Sequence, residues 1–172
     1  MRLRIDQLSD DPTAVPIQDG SDWALVAAAE AVDGDVQVLR GELAFSLQYE
    51  TVFVRGSLQL KCRRSCDRCG GFLILEIEGP VDLAYRPEIQ SSEAVRELSN
   101  DELDVGFYTG AEFEVAVAVR EHLALQLPFQ VHCGIPGAAP DGGECKVILP
   151  EEDPEDELDP RFAILKELKF DT

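Results

Sequence analysis

Five cysteines, at positions 62, 66, 69, 133 and 145, are the residues of this chain best suited to carry chemistry. Three of them fall in the eleven-residue stretch Lys61 to Gly71, Lys-Cys-Arg-Arg-Ser-Cys-Asp-Arg-Cys-Gly-Gly, which also holds four of the fifteen basic residues. In Cys66-Asp-Arg-Cys69 the two-residue gap lets two thiolates from one tight turn reach the same metal ion, and Gly70-Gly71 supplies the backbone freedom such turns use. A structural zinc ion takes four ligands, and Cys133 with Cys145 would complete a tetrathiolate. The candidate ligands are therefore Cys66, Cys69, Cys133 and Cys145, with Cys62 as an alternative. Cys133 and Cys145 stand twelve positions apart, a wider gap than a second knuckle would have. Isolated buried or free thiols are the plain alternative to zinc. A thioredoxin-like redox pair fits less well, because the motif does not open a helix in a βαβ context.

Little else in the sequence points to catalysis. His122 and His132 are the only histidines, and no nucleophile–His–acid arrangement, glycine-rich phosphate loop or helical His-x-x-x-His spacing accompanies them. Four thiolates would close a zinc shell and leave no position for substrate, so the expectation is a protein that is not an enzyme and takes no small-molecule substrate. Lys61, Arg63, Arg64 and Arg68 surround the knuckle. Arg63, Arg64 and Arg68 are the candidates for contact with RNA phosphates or a partner, against the plainer reading that they pair with the chain's own acids.

Charge narrows the function classes further. The 172 residues include 15 Lys+Arg and 34 Asp+Glu, a formal net charge of −19, which argues against a protein that grips phosphate backbones over a broad face. The first eleven residues lack the apolar core of a signal peptide, and no run of about eighteen apolar residues occurs. A cytoplasmic chain without a membrane partner is expected. Three clustered cysteines in an odd total suit a reducing compartment and thiols used as ligands.

The knuckle follows directly on an alternating apolar run, and the surrounding pattern indicates how it is held. Met1 to Leu8 reads as a short strand, Ser9 to Gly20 as a loop, and Trp23 to Val32 as an alanine-rich helix opened by Ser21 or Asp22 and closed by Asp33-Gly34. Period-two alternation through Val36, Val38, Leu43, Phe45 and Leu47, then Val52, Val54, Leu58 and Leu60, predicts two long antiparallel strands with Gly41 and Gly56 as bulges. Phe72 to Tyr85 predicts a third, interrupted near Gly79-Pro80. Arg86 to Asn100 reads as a surface loop or irregular helix, and Leu103 to Tyr108 as a short strand. Glu112 to Leu127 fits both periods, and its length and Pro128 favour a helix. Phe129 to Leu149 reads as a loop. The expected fold is α+β, a twisted antiparallel sheet of three to four long strands packed by two helices and carrying a cysteine knuckle, in one domain over residues 1–150. Residues 151–160 then form an acidic linker, with seven acids and no base from Glu151 to Asp159, and 161–172 a short amphipathic helix.

Several short marks, in this order, resemble a known family: long strands leading into Cys66-Asp-Arg-Cys69-Gly, then Leu123-Ala-Leu-Gln-Leu-Pro128, a Cys133 loop, and Asp159-Pro-Arg-Phe-Ala-Ile-Leu-Lys-Glu-Leu168. The chain is similar, from about Trp23 to Lys169, to the bacterial and plastid large ribosomal RNA subunit accumulation proteins, also called domain-of-unknown-function family 177. That resemblance implies a non-catalytic factor in large-subunit biogenesis, needed for 23S ribosomal RNA to accumulate and acting on a ribosomal protein or large-subunit pre-rRNA. It makes Cys66, Arg68 and Cys69 the central motif and puts Cys133 and Cys145 in a loop where relatives place further cysteines. Cys62 and the glycine-rich gap between Cys133 and Cys145 depart from the pattern. A thiol-based redox or zinc-dependent regulatory protein is the alternative.

Overall fold

In a computed structural model the chain is described over residues 1–18, 20–88, 104–142 and 145. The elements run β1 (Arg2–Arg4), β2 (Thr13–Ile17), α1 (Asp22–Val32), β3 (Asp35–Gln48), β4 (Thr51–Ser65), β5 (Phe72–Pro87), β6 (Gly106–Tyr108), β7 (Glu112–Glu114), α2 (Val115–Gln126) and β8 (Ala138–Pro140). The fold is α+β, as expected. Three long antiparallel strands, β3, β4 and β5, form the centre of a six-stranded sheet ordered β2-β3-β4-β5-β6, with β8 also pairing with β5, and a second ribbon joins β1 to β7.

The alternation read from the sequence becomes a sheet with one apolar face. Directly paired residues point the same way. Leu39 opposite Leu60, Phe45 opposite Val54, Leu60 opposite Ile77, Cys62 opposite Leu75 and Val52 opposite Tyr85 therefore share a side, and all of them are buried. The opposite face carries cross-strand ion pairs, Arg55 with Asp82 at 3.2 Å and Lys61 with Glu76 at 2.7 Å. Such exposed pairs contribute at most about 1 kcal/mol each.

Both helices cover the apolar face. The alanines of α1 keep its buried stripe, Ala24, Ala27, Ala28 and Val32, shallow enough for close packing on α2 and β3. The buried side of α2, Val115, Ala118, Val119, His122 and Leu123, has the i, i+3, i+4, i+7, i+8 spacing of a helix seated on a core. Phe113 of β7 fastens the small ribbon to the sheet, its ring centroid 4.8 Å from Tyr85 and 5.8 Å from Phe45. Buried Tyr85 donates its hydroxyl to Glu121 at 2.6 Å.

Several expectations give way to the structure. The segment read as a loop from Ser9 to Gly20 contains β2, whose Pro16 is accommodated because β2 is an edge strand. Gly41 and Gly56 introduce no bulge; the register shift lies between Val36 and Val38. What Gly56 permits is close backbone approach: its φ is +154°, and a Cβ there would lie 2.0 Å from the Glu42 carbonyl oxygen. β5 continues through Gly79-Pro80. Its outer edge there has no strand partner among the described residues, a setting that tolerates proline. Glu112 to Glu114 form β7 before the helix begins, because pairing with β1 takes those residues into a strand. β6 runs parallel to β5, and three short strands, β2, β6 and β8, add to the three long ones. Most of Arg86 to Asn100, the Glu151 to Asp159 stretch and the 161–172 helix lie outside the described residues.

Two outcomes follow. Gly56→Ala should lower stability by more than about 1 kcal/mol, read as a reduced denaturant midpoint, since neither the backbone angle nor the adjacent carbonyl accommodates a methyl group. His122 is 3% exposed, and its Nε2 has no hydrogen-bond partner among the described residues. Burial holds its pKa below the ordinary 6.5. The unfolded chain therefore takes the proton first. The stability that His122 confers is complete above about pH 6.5 and is lost as the pH falls toward the folded-state value. His122→Leu should flatten the pH dependence of the thermal midpoint between about pH 7 and pH 5 relative to the parent chain.

Candidate metal centre

β4 and β5 run on into the six-residue loop Cys66 to Gly71. The Cys66 amide donates to the Gly71 carbonyl at 2.8 Å and the Gly70 amide to the Cys66 carbonyl at 2.9 Å, which folds the loop into the knuckle. Cys66 is buried, while Cys69 is partly exposed at the loop's far side.

Cys133 reaches the same place from far along the chain. Beyond α2 the backbone turns back, and β8 pairs antiparallel with Leu73 to Leu75 at the start of β5. Two hydrogen bonds tie this returning loop to the knuckle: the Asp67 amide donates to the Val131 carbonyl at 2.9 Å, and the Val131 amide donates to Asp67 Oδ2 at 2.7 Å. A third anchor is at Gly137, whose carbonyl accepts from the Glu76 amide at 2.7 Å. With φ +77° and an ideal Cβ position only 2.5 Å from the Glu76 oxygen, that site admits glycine alone without a shift of backbone.

The result is a cluster of three thiols, Cys66, Cys69 and Cys133, with sulfurs all within 4.8 Å of one another. Cys133 Sγ is 3.4 Å from Cys66 Sγ and 3.7 Å from Cys69 Sγ. Both separations exceed the bond length of a disulfide, about 2.05 Å. They lie close to the roughly 3.8 Å that separates two sulfurs on a tetrahedral ion with Zn–S of about 2.3 Å. Cys145 is exposed and outside this group of three, yet its thiol hydrogen-bonds with that of Cys133. Three expected ligands are thus gathered and the fourth stands beside them.

The protons are unevenly held. Burial opposes ionisation of Cys66, but the backbone N–H groups of Cys69, Arg68 and Cys133, with the Cys133 thiol, outweigh it and bring the pKa down to about 6. Hydrogen bonds from Cys133 to Cys66 and Cys145, then burial, push Cys133 up to about 12. Within the cluster the converging amides thus favour the anion on Cys66 over its neighbours. A divalent cation would displace the remaining protons.

The other candidates separate clearly. Cys62, the alternative ligand, is not one of the three clustered thiols; it is fully buried on the apolar face, and burial pushes its pKa up to about 11. Arg63 pairs with Asp141 and lies over the Phe72 ring at 3.6 Å from its centroid. Arg64 bonds Asp67 at 3.0 Å with only 12% of its side chain exposed. These two follow the plainer reading, in which the bases pair with the chain's own acids. Arg68 is exposed and forms no ion pair with a described residue. His132 accepts from the Gly134 amide through Nδ1, which occupies that nitrogen. Asp67 and Gly137 carry much of the geometry and escaped the sequence reading. The position of Asp67 between two candidate ligands was the one available signal.

Residues 54–169 match the family described as large ribosomal RNA subunit accumulation protein YceD. The chain is also 31% identical over 94 residues to the uncharacterized protein YlbN of Bacillus subtilis, an alignment covering 51% of this chain and 55% of that protein. It thus spans about half the length of the curated relative it matches. No solved structure matches. The match takes in most of β4, the knuckle, β5, α2 and the returning Cys133 loop, and the chain belongs to the family of large ribosomal RNA subunit accumulation proteins.

Proposed function

We propose that this chain is a non-catalytic factor in large ribosomal subunit biogenesis, needed for 23S ribosomal RNA to accumulate, and that it acts in the cytoplasm by binding a ribosomal protein or pre-rRNA. The observation that carries this reading is the family match over residues 54–169, which contains the whole thiol cluster. In this reading zinc is held by Cys66, Cys69, Cys133 and Cys145. Its bonds to the thiolates would fasten the sheet to the loop beyond α2 and leave no open coordination position, so the site is structural.

The net charge of −19, with seven acids between Glu151 and Asp159, favours a basic partner such as a ribosomal protein. Arg63 and Arg64 are engaged with Asp141 and Asp67, which leaves Arg68 as the knuckle's free cation among the described residues. A second reading, a thiol-based redox regulator, is favoured by one observation, the low-pKa Cys66 thiol 3.4 Å from Cys133. Peroxide-dependent loss of zinc together with a Cys66–Cys133 disulfide would support it, and thiols unmodified by peroxide would dismiss it.

The purified chain should contain one zinc per molecule by elemental analysis. Cys69→Ser or Cys133→Ser should abolish that zinc, and chelation should lower the thermal midpoint by on the order of 10 °C. A metal-free protein with an unshifted midpoint would remove the structural-zinc reading. Affinity capture from lysate, with and without nuclease, should enrich large-subunit proteins or 23S precursor, with protein contacts weakening as salt rises. A partner set free of both would overturn the ribosomal reading.

A further inference from the structure

The hairpin between β3 and β4 turns through only two residues, Tyr49 and Glu50, and both have positive φ, 47° and 66°. Two-residue turns of this hand favour Asn-Gly or Gly-Gly, and a bulky aromatic in that region is strained. Tyr49 gains no packing in return, since its side chain is fully exposed at 101%. The turn is nevertheless held from below, where Tyr108 donates its hydroxyl to the Glu50 carbonyl at 2.8 Å. Strain that local packing does not reward is a mark of a site built for something else.

Beside the turn opens a trough of about 500 Å³ lined by Gln48, Tyr49, Glu50, Thr51, Phe53 and Arg86. Arg86 is exposed and forms no ion pair with a described residue. Behind Phe53 the Arg55 guanidinium lies 5.5 Å from the ring centroid. An exposed ring such as Tyr49 beside a guanidinium such as Arg86 is what an unstacked nucleobase and its phosphate require. Arg55 is paired with Asp82, so Arg86 is the cation this trough offers, and it disfavours the basic protein segment that the rest of the acidic chain would attract.

We propose that this trough binds an unpaired base of single-stranded RNA, stacked on Tyr49, with Arg86 on the adjoining phosphate and Gln48 and Thr51 at the base edge. This rests on the ribosomal reading above and adds to it a direct contact with RNA. The negative surface elsewhere keeps the contact local. Binding therefore depends on stacking, with only one or two phosphates neutralised and a shallow dependence on salt.

The test is fluorescence anisotropy of the full chain with fluorescein-labelled oligouridine and oligoadenine, single-stranded and as the duplex. Tyr49→Ala should weaken single-strand binding roughly 5- to 150-fold while Tyr49→Phe retains it. Arg86→Ala should reduce the salt slope by about 0.7. Tyr49→Gly relieves the backbone strain, so it should raise the thermal midpoint while losing binding, which a purely structural tyrosine would not do. No binding by the parent chain, parent-like affinity in Tyr49→Ala, or equal affinity for duplex would overturn the proposal. So would a Tyr49→Ala chain that keeps RNA and loses a ribosomal protein, because the occupant would then be a protein. Lysate capture separates the two readings. If the parent chain captures no large-subunit component, the ribosomal reading fails; if it captures them and Tyr49→Ala still binds single strands normally, only the trough fails.

Discussion

The candidate site depends on the attachment of the β4–β5 loop to the loop that returns from α2. Two hydrogen bonds between Asp67 and Val131, one of them charge-assisted, set the distance at which Cys133 meets Cys66 and Cys69. β8 on the edge of β5 and the Gly137 carbonyl on the Glu76 amide prevent the returning segment from sliding. All these contacts are among backbone groups and one carboxylate, so the convergence of the three sulfurs has support beyond any bonds to an ion. Preorganisation of this kind removes part of the entropy that would otherwise be lost when ligands are gathered.

The same geometry explains why the thiols differ. Three backbone N–H groups converge on Cys66 and stabilise its anion, whereas Cys133 sits between sulfurs that compete for its proton. Cys62, only four residues before Cys66, belongs to a different environment altogether. It lies on the apolar face opposite Leu75, where nothing compensates the desolvation of a thiolate. Proximity in sequence says little about proximity in function here.

Positive charge on the described surface is largely accounted for internally. Arg55, Lys61, Arg63 and Arg64 each face an acid of the same chain, so they offer little to a polyanion. What remains distinctive is local: Arg68 at the knuckle, and at the other end of β4 a strained turn whose Tyr49 lines one trough with Arg86. An acidic chain of this sort can draw in basic proteins from a distance and still touch RNA at one point, because long-range attraction and short-range stacking act over different distances.

Much of the fold could be read directly from residue order. Alternation in Val36 to Leu47, Val52 to Leu60 and Phe72 to Tyr85 requires three strands with one apolar side, since a period of two leaves no other way to bury those side chains together. The Cys66-x-x-Cys69 spacing defined two of the three clustered thiols for a similarly local reason. The short strands β2, β7 and β8 were not legible, because three to five residues carry too little periodicity to outweigh Pro16, the helix-like spacing after Glu112, or the glycines around Ala138. Convergence of Cys133 with the knuckle, the engagement of Arg63 and Arg64, and the burial of Cys62 were settled only by tertiary structure. Each depends on which distant backbone groups pair, and hydrogen bonds between segments more than sixty residues apart leave no pattern in the sequence of either one.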